Sequence, residues 1–324
     1  MPFLMKILHS RIFISATQRI RLCPFLQIYG FKGITASACA IFTVGYLFIY
    51  LGGATFFTSK PLREGEAQKQ YVPVVVYVVT PTYRRATQAP DLTRLMQTLR
   101  LANDICWIIV EDSHKYTPLV SSILERSGIP GVHLLGPTAS NRKLKKYGRG
   151  VSARNRAIQW LRTNATGPGV VYFADDDNSY DVRLFDEIRQ TKRISVFPVG
   201  TIGEYGVSAP VVISGKVAAF HDSYRGGRKF AVDMAGFAVN LSLLCGNKRA
   251  VMPHILGKQE DIFLRSFNVS IGDLEPLCNN CTQVYVWHTK TVSSVYPRWN
   301  TLQKDRRLLN TSVHELYKNV LWPR

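Results

Sequence analysis

Three carboxylates in a row, Asp175, Asp176 and Asp177, directly follow the apolar run VVYFA. Like charges packed that closely repel, so the cluster is costly unless a cation sits on it. Hard oxygen ligands select Mg²⁺ or Mn²⁺ over softer metals. A solvated acidic turn accounts for only one or two such residues. Upstream, Arg149 and Arg154 flank the start of a helix, and a pyrophosphate there would meet metal, guanidinium forks and helix N-terminus together. The neighbouring Arg142, Lys143, Lys145 and Lys146 read as a solvated loop. Asp112 closes the run CWIIVED, where it could accept from a sugar hydroxyl or a base edge. The turn Thr80, Pro81, Thr82, Tyr83 sets an aromatic ring where a uracil could stack. Each of these also has a plain reading as a cap or turn.

The elements that must position these groups follow from the pattern around them. VPVVVYVVT is a β-branched run of the kind buried on both sheet faces, with Pro73 near its start where a missing donor is tolerated. A helix is expected over 91–102, then strand CWIIVED, then helix Pro118 to Ser127 stopped by Gly128, then strand VHLLG. Helix Val151 to Leu161 and strand Val170 to Ala174 complete the alternation. Repeated β-α-β units with buried strands predict an α/β layered sheet of largely parallel pairing, whose ligands bind outside the carboxyl ends of the strands. Beyond about Ile194 the alternation loosens into a mixed half.

The chain has 324 residues and 46% hydrophobic content, enough for a large core, and 41 Lys+Arg against 22 Asp+Glu give a formal charge of +19. That charge suits nucleic acid, an anionic membrane or a polyanionic substrate. Residues 33–57 carry no charged side chain and are long enough to cross a bilayer as a helix, with only basic charges before them. A cytosolic tail over 1–32, a signal anchor over 33–57 and a short stem over 58–71 are therefore expected, with the rest lumenal. A cleaved signal peptide is the rival, but the run is too long and begins too late. The lumenal placement removes nucleic acid as a partner. The sequons at Asn164, Asn268, Asn280 and Asn310 suit it, while Asn240 lies in an apolar stretch. Cys278 and Cys281 have metal-knuckle spacing but no second pair completes a zinc site; a disulfide and buried thiols both stay open.

Several long segments, VYVVTPTYRR, WIIVED, RGVSARNRAIQWL, VVYFADDDNSYD, FAVDMAGFAV, QEDIFLRS and NNCTQVYVWHTKT, resemble the β-1,3-glucuronosyltransferases of glycosyltransferase family 43, in family order from about Val76 to Thr291. The resemblance implies a GT-A-like nucleotide-sugar-binding sheet over 72–194 and an acceptor-binding half over 195–324, behind a Golgi type II anchor. It implies Mn²⁺ on Asp177, uridine held by Pro81, Tyr83 and Asp112, and Arg149 and Arg154 on the phosphate and sugar side. Asp175 and Asp176 would meet ribose and sugar, and His288 the diphosphate. Glu260 matches the catalytic base; read without the family it is an ordinary helical acid. Arg228 and Asp233 would grip an acceptor galactose.

The implied reaction moves glucuronic acid from UDP-glucuronic acid to O3 of a terminal galactose, first in the proteoglycan linkage region, alternatively on lactosamine ends. An inactive glycan-binding scaffold is the other class of answer, and a homodimer is compatible with either. Three positions depart from the family: Lys290 stands where Arg is usual, making a donor-side fork a point charge. Tyr224 replaces an acceptor-side Trp, and Ser208 falls where Glu is usual.

Overall fold

The computed structural model describes residues 73–138, 148, 150–224, 226–292 and 307–316. The expected tail, anchor and stem, the basic loop with Arg142, Lys143, Lys145 and Lys146, and Arg149 lie outside the described residues. Among the described residues no helix is long and apolar enough to cross a membrane.

The order is β1 (Val75–Thr82), α1 (Gln88–Leu99), β2 (Ile105–Glu111), α2 (Pro118–Ser127), β3 (Gly131–Leu135), α3 (Val151–Asn164), β4 (Gly169–Phe173), β5 (Ser179–Tyr180), α4 (Arg183–Ile188) and β6 (Ile194–Val196). There follow β7 (Val199–Gly200), β8 (Val207–Ile213), β9 (Lys216–His221), β10 (Phe237–Asn240), α5 (Leu241–Gly246), α6 (Gln259–Arg265), β11 (Glu275–Pro276), β12 (Val286–Trp287) and α7 (Ser312–Leu316). One seven-stranded sheet runs β11-β6-β10-β4-β1-β2-β3; a five-stranded sheet runs β5-β12-β7-β8-β9. The strands β4-β1-β2-β3 are parallel, as predicted, and β10 enters antiparallel between β4 and β6. The expected boundary at 194/195 falls inside β6, so both halves share the larger sheet.

Period-two alternation along the buried strands builds the core on both faces. Tyr77 and Val79 of β1 pack with Ile108, Ile158, Phe173, Phe237 and Phe263, whereas Val76 and Val78 pack with Trp107, Leu92, Leu95, Tyr172 and Phe185. Burying a side chain such as Phe173 or Phe263 fully contributes about 1.5–3 kcal/mol. Helix α2 has the predicted bounds, and Gly128 leaves it with φ 65, in the left-handed region where glycine is unstrained. Helix α1 begins three residues before the expected start, at Gln88 rather than Asp91. Pro90 is tolerated because the first-turn N–H groups have no intrahelical acceptor.

Cys106, Cys245, Cys278 and Cys281 are free thiols. Burial pushes Cys278 and Cys281 up to about 12 and Cys106 up to about 11, which makes these sulfurs poor metal ligands and poor nucleophiles as they stand. The sequon residues Asn164, Asn268, Asn280 and Asn310 are exposed. Asn240 instead caps α5, its side chain accepting from the N–H groups of Ser242 and Leu243.

Candidate active site

The larger sheet delivers its chemistry at the carboxyl ends of β1, β2 and β4, where Pro81, Asp112 and the aspartate triplet stand. The three aspartates part company at once. Asp175 is met by Arg154 of α3. A Cβ on Gly150 would come within 2.7 Å of Arg154 Nη1 and 3.3 Å of Pro81 Cβ, so the proline, the arginine and the start of α3 converge there. Gly150 also has φ +73, a second reason for glycine.

Asp176 turns inward. Thr82 Oγ1 donates to it at 2.7 Å and Arg85 at 2.7 Å, and the same guanidinium holds the buried Asp91 at 2.7 Å. Burial still pushes the Asp176 carboxyl up to about 6, against the pull of Arg85. Arg85→Ala would leave buried Asp176 without its counterion and Asp91 with Arg94 alone, at 3.1 Å, and is expected to lower unfolding free energy by about 3–5 kcal/mol in a urea titration. An Arg85→Ala protein as stable as the parent would show that water compensates both acids.

Asp177 is different: its carboxylate accepts from its own backbone N–H and from no side chain among the described residues, and burial together with the Asp175 charge raises its pKa. Its carbonyl is pinned by Thr289 Oγ1 at 2.6 Å and Arg94 at 3.4 Å. The mutual repulsion read from the sequence as a demand for a cation is therefore relieved in part by Arg154 and Arg85. Among the described residues no three His, Cys, Asp or Glu side chains converge as a metal cage. A hard divalent ion that keeps most of its coordination for phosphate and water needs only one or two protein carboxylates, and uncompensated Asp177 fits that part.

The second wall comes from more than 100 residues downstream. Antiparallel pairing of β12 with β5, Trp287 opposite Ser179, brings His288 and Thr289 beside the triplet. His288 Nδ1 lies 3.3 Å from Asp233 Oδ2. The adjacent Asp233 carboxylate, backed by the charges of Asp175 and Asp177, raises the His288 pKa. Asp233 keeps its other oxygen for the Ala235 N–H at 2.9 Å, capping a short 3-10 turn. Lys290 is exposed.

Helix α6 supplies the third wall. Glu260 sits in its first turn, with 14% of its side chain exposed. The adjacent Asp261 turns away from it and accepts from the Phe230 N–H at 2.8 Å, which ties α6 to the segment bearing Arg228 and Asp233. Arg228 Nη1 stands 4.0 Å from Glu260 Oε2. Burial raises the Glu260 pKa and the Asp233 charge adds to this, while Arg154 and Arg228 oppose them. Arg154 thus acts on Glu260 while bonded to Asp175, so the candidate base and the triplet occupy one end of the sheet.

Two donor-side expectations look different in place. Both oxygens of Asp112 accept from Thr138, its N–H at 2.6 Å and its hydroxyl at 2.8 Å, so a base edge would have to compete with that loop. Tyr83 is 40% exposed at the mouth, its ring 4.7 Å beneath the Arg85 guanidinium. Tyr224 is also exposed, on the Arg228 side. Sequence reasoning missed Arg85, Asp261 and Thr289, although each lies inside a quoted segment; their partners are distant in the chain. Asp222, which binds Arg228 at 2.9 Å, lies outside every such segment.

The sequence profile of glycosyltransferase family 43 matches residues 95–292. Galactosylgalactosylxylosylprotein 3-beta-glucuronosyltransferase S of Drosophila melanogaster is 44% identical over 273 residues, 83% of this chain and 67% of that one. The Caenorhabditis elegans enzyme of the same name, sqv-8, is 40% identical over 76% of this chain and 71% of its own. Human galactosylgalactosylxylosylprotein 3-beta-glucuronosyltransferase 2 is 43% identical over 67% and 69%. Among solved structures, S. aureus TarS 1-349 in complex with UDP-GlcNAc overlays with a TM-score of 0.45 and 14% identity over 68% of this chain and 60% of that one, too distant to bear on function. The matched span holds Asp112, Asp175, Asp176, Asp177, Asp233, Glu260 and His288, the side chains gathered at the sheet's end, and this chain belongs to glycosyltransferase family 43.

Proposed function

We propose that this chain transfers glucuronic acid from UDP-glucuronic acid to O3 of a terminal galactose, with inversion at the anomeric carbon, in the glycosaminoglycan-protein linkage region. The observation that carries this reading is the convergence of Glu260, Arg228 and Asp233 with the Asp175 to Asp177 end of β4, through Arg154 and His288, in a member of that family. Glu260 takes the proton from the acceptor hydroxyl as its oxygen bonds to the anomeric carbon. The bond from that carbon to the diphosphate oxygen breaks on the opposite face, and UDP leaves with the electron pair. Arg154 and His288 hold the diphosphate, and the guanidinium offsets its growing charge. Asp177 would hold Mn²⁺, which when bound would supply Lewis-acid stabilisation of the leaving diphosphate. The raised Glu260 pKa suits a base that must accept a proton near neutral pH. Anchorage through 33–57 in the Golgi membrane, with the catalytic part lumenal, belongs to the same proposal.

The test is to incubate the purified chain with a panel of UDP-sugars and galactose-ended acceptors, both linkage-region and lactosamine. Product from UDP-glucuronic acid alone is expected, greatest with the linkage-region acceptor. Glycan binding without turnover would replace the enzyme with a scaffold. Because Glu260 must be ionised to act, kcat is expected to fall on acidification with an apparent pKa above the ordinary glutamate value of 4.5. A rate flat from pH 7 down to about 4.5 would remove Glu260 from the role of base.

A further inference from the structure

Asp222 follows β9 and is 5% exposed, yet it belongs to no recognised segment and no step above uses it. Its carboxylate is fully engaged. Oδ1 accepts from Arg228 Nη2 at 2.9 Å and from the Tyr224 N–H at 2.8 Å, while Oδ2 accepts from the Ser208 hydroxyl. The antiparallel register that sets Ala209 opposite His221 brings Ser208 across from Asp222. Ser208, where the family resemblance expects Glu, thus donates to this acid instead of repelling it.

What Asp222 holds faces the acceptor side. The Arg228 guanidinium, 5% exposed, gives Nη1 to the Val232 carbonyl at 3.0 Å and stops 4.0 Å short of Glu260 Oε2, a long separation for an ion pair. The same guanidinium lies 5.1 Å over the Tyr224 ring. That ring is 54% exposed and rests against two glycines: a Cβ on Gly226 would come within 3.0 Å of it and one on Gly257 within 2.8 Å. An exposed aromatic with one open face, fixed beside a cation and a carboxylate, is a platform for a sugar ring.

Charge decides what Arg228 would do without Asp222. The charged groups acting on Glu260 are Asp233 and Arg228 from the segment packed on α6, and Arg154 from α3. With Asp222 neutral, the nearest acid left to Arg228 is Glu260, and a closed ion pair would withdraw that carboxylate from the acceptor hydroxyl. We propose that Asp222 is a positioning residue for transfer, holding Arg228 away from Glu260 and locking Arg228 and Tyr224 into one acceptor-binding unit. The inference rests on the reading of Glu260 as base.

The test compares the full-length parent with Asp222→Asn, Asp222→Glu and, as control, Glu260→Gln, reading kcat, KM for each substrate, the pH profile and thermal stability. Asp222→Asn is expected to lower kcat/KM for the acceptor by about 10- to 100-fold, with KM for UDP-glucuronic acid within about threefold of the parent. The acid limb of its kcat profile should move to lower pH, since freed Arg228 favours ionised Glu260. Asp222→Glu keeps the charge and is expected to recover most of the loss. An Asp222→Asn enzyme with parental acceptor kinetics and an unmoved acid limb would overturn the proposal. So would equal losses for donor and acceptor that track a lowered melting temperature, the mark of a merely structural acid. Should Asp222→Asn fail to fold, Asp222→Glu decides alone: an acid limb and acceptor KM matching the parent uphold the proposal, and donor and acceptor KM rising together overturn it. Activity retained by Glu260→Gln would instead sink the base assignment.

Discussion

Glu260→Gln is expected to abolish measurable transfer while leaving UDP binding and fold intact. Deleting a positioned general base costs about 10²–10⁴ in rate, and the glutamine keeps nearly the same volume in a site that is mostly closed. The proposed donor side of the cleft, with Pro81, Arg154 bonded to Asp175, and His288, keeps its own contacts, so calorimetric titration with UDP should give close to the parental affinity. Stability should hold or rise. The Glu260 pKa lies above its ordinary value because burial and Asp233 disfavour its charge, and a group raised in this way weakens the fold at neutral pH. The amide removes that cost. A Glu260→Gln enzyme that turned over at the parental rate would leave the site without its base, since Asp233 is committed to His288 and to a turn N–H.

The second large effect is expected at Asp177. Of the three aspartates it is the one whose carboxylate has no guanidinium partner among the described residues, so Asp177→Ala should leave the Arg85 and Arg154 networks in place and the melting temperature close to the parent. What it should lose is the Mn²⁺-dependent part of UDP affinity, together with activity. Titrating UDP with and without Mn²⁺ measures this directly: the parent should tighten on adding metal and the variant should not. Equal Mn²⁺ enhancement in both proteins would move the metal off Asp177. The contrast with Arg85→Ala, expected to destabilise the domain, separates the proposed liganding acid from the structural acid beside it.

These contrasts were invisible along the chain, where Asp175, Asp176 and Asp177 are chemically identical neighbours. Two others were equally hidden. Glu260 and Asp261 are adjacent helical acids, but a helix turns successive side chains through about 100°, so one faces the cleft and the other seals α6 to Phe230. Asp112 reads as a free acceptor at a strand end, yet Thr138 takes both of its oxygens.

What the sequence determined alone was everything governed by local repetition and by long contiguous segments: the buried β-branched strands, the α2 bounds with their Gly128 stop, the parallel sheet, and the family to which the side chains belong. Those features depend on near neighbours in the chain, whose spacing is legible directly. What only the tertiary structure decided was which of several identical charges is free. That depends on partners delivered from 91 to 200 residues away, as the Arg85 guanidinium on Asp176 and the Thr291 hydroxyl on Asp91 show. Burial favours such pairing, because an uncompensated charge away from water is costly, and no local pattern records which distant strand supplies the partner.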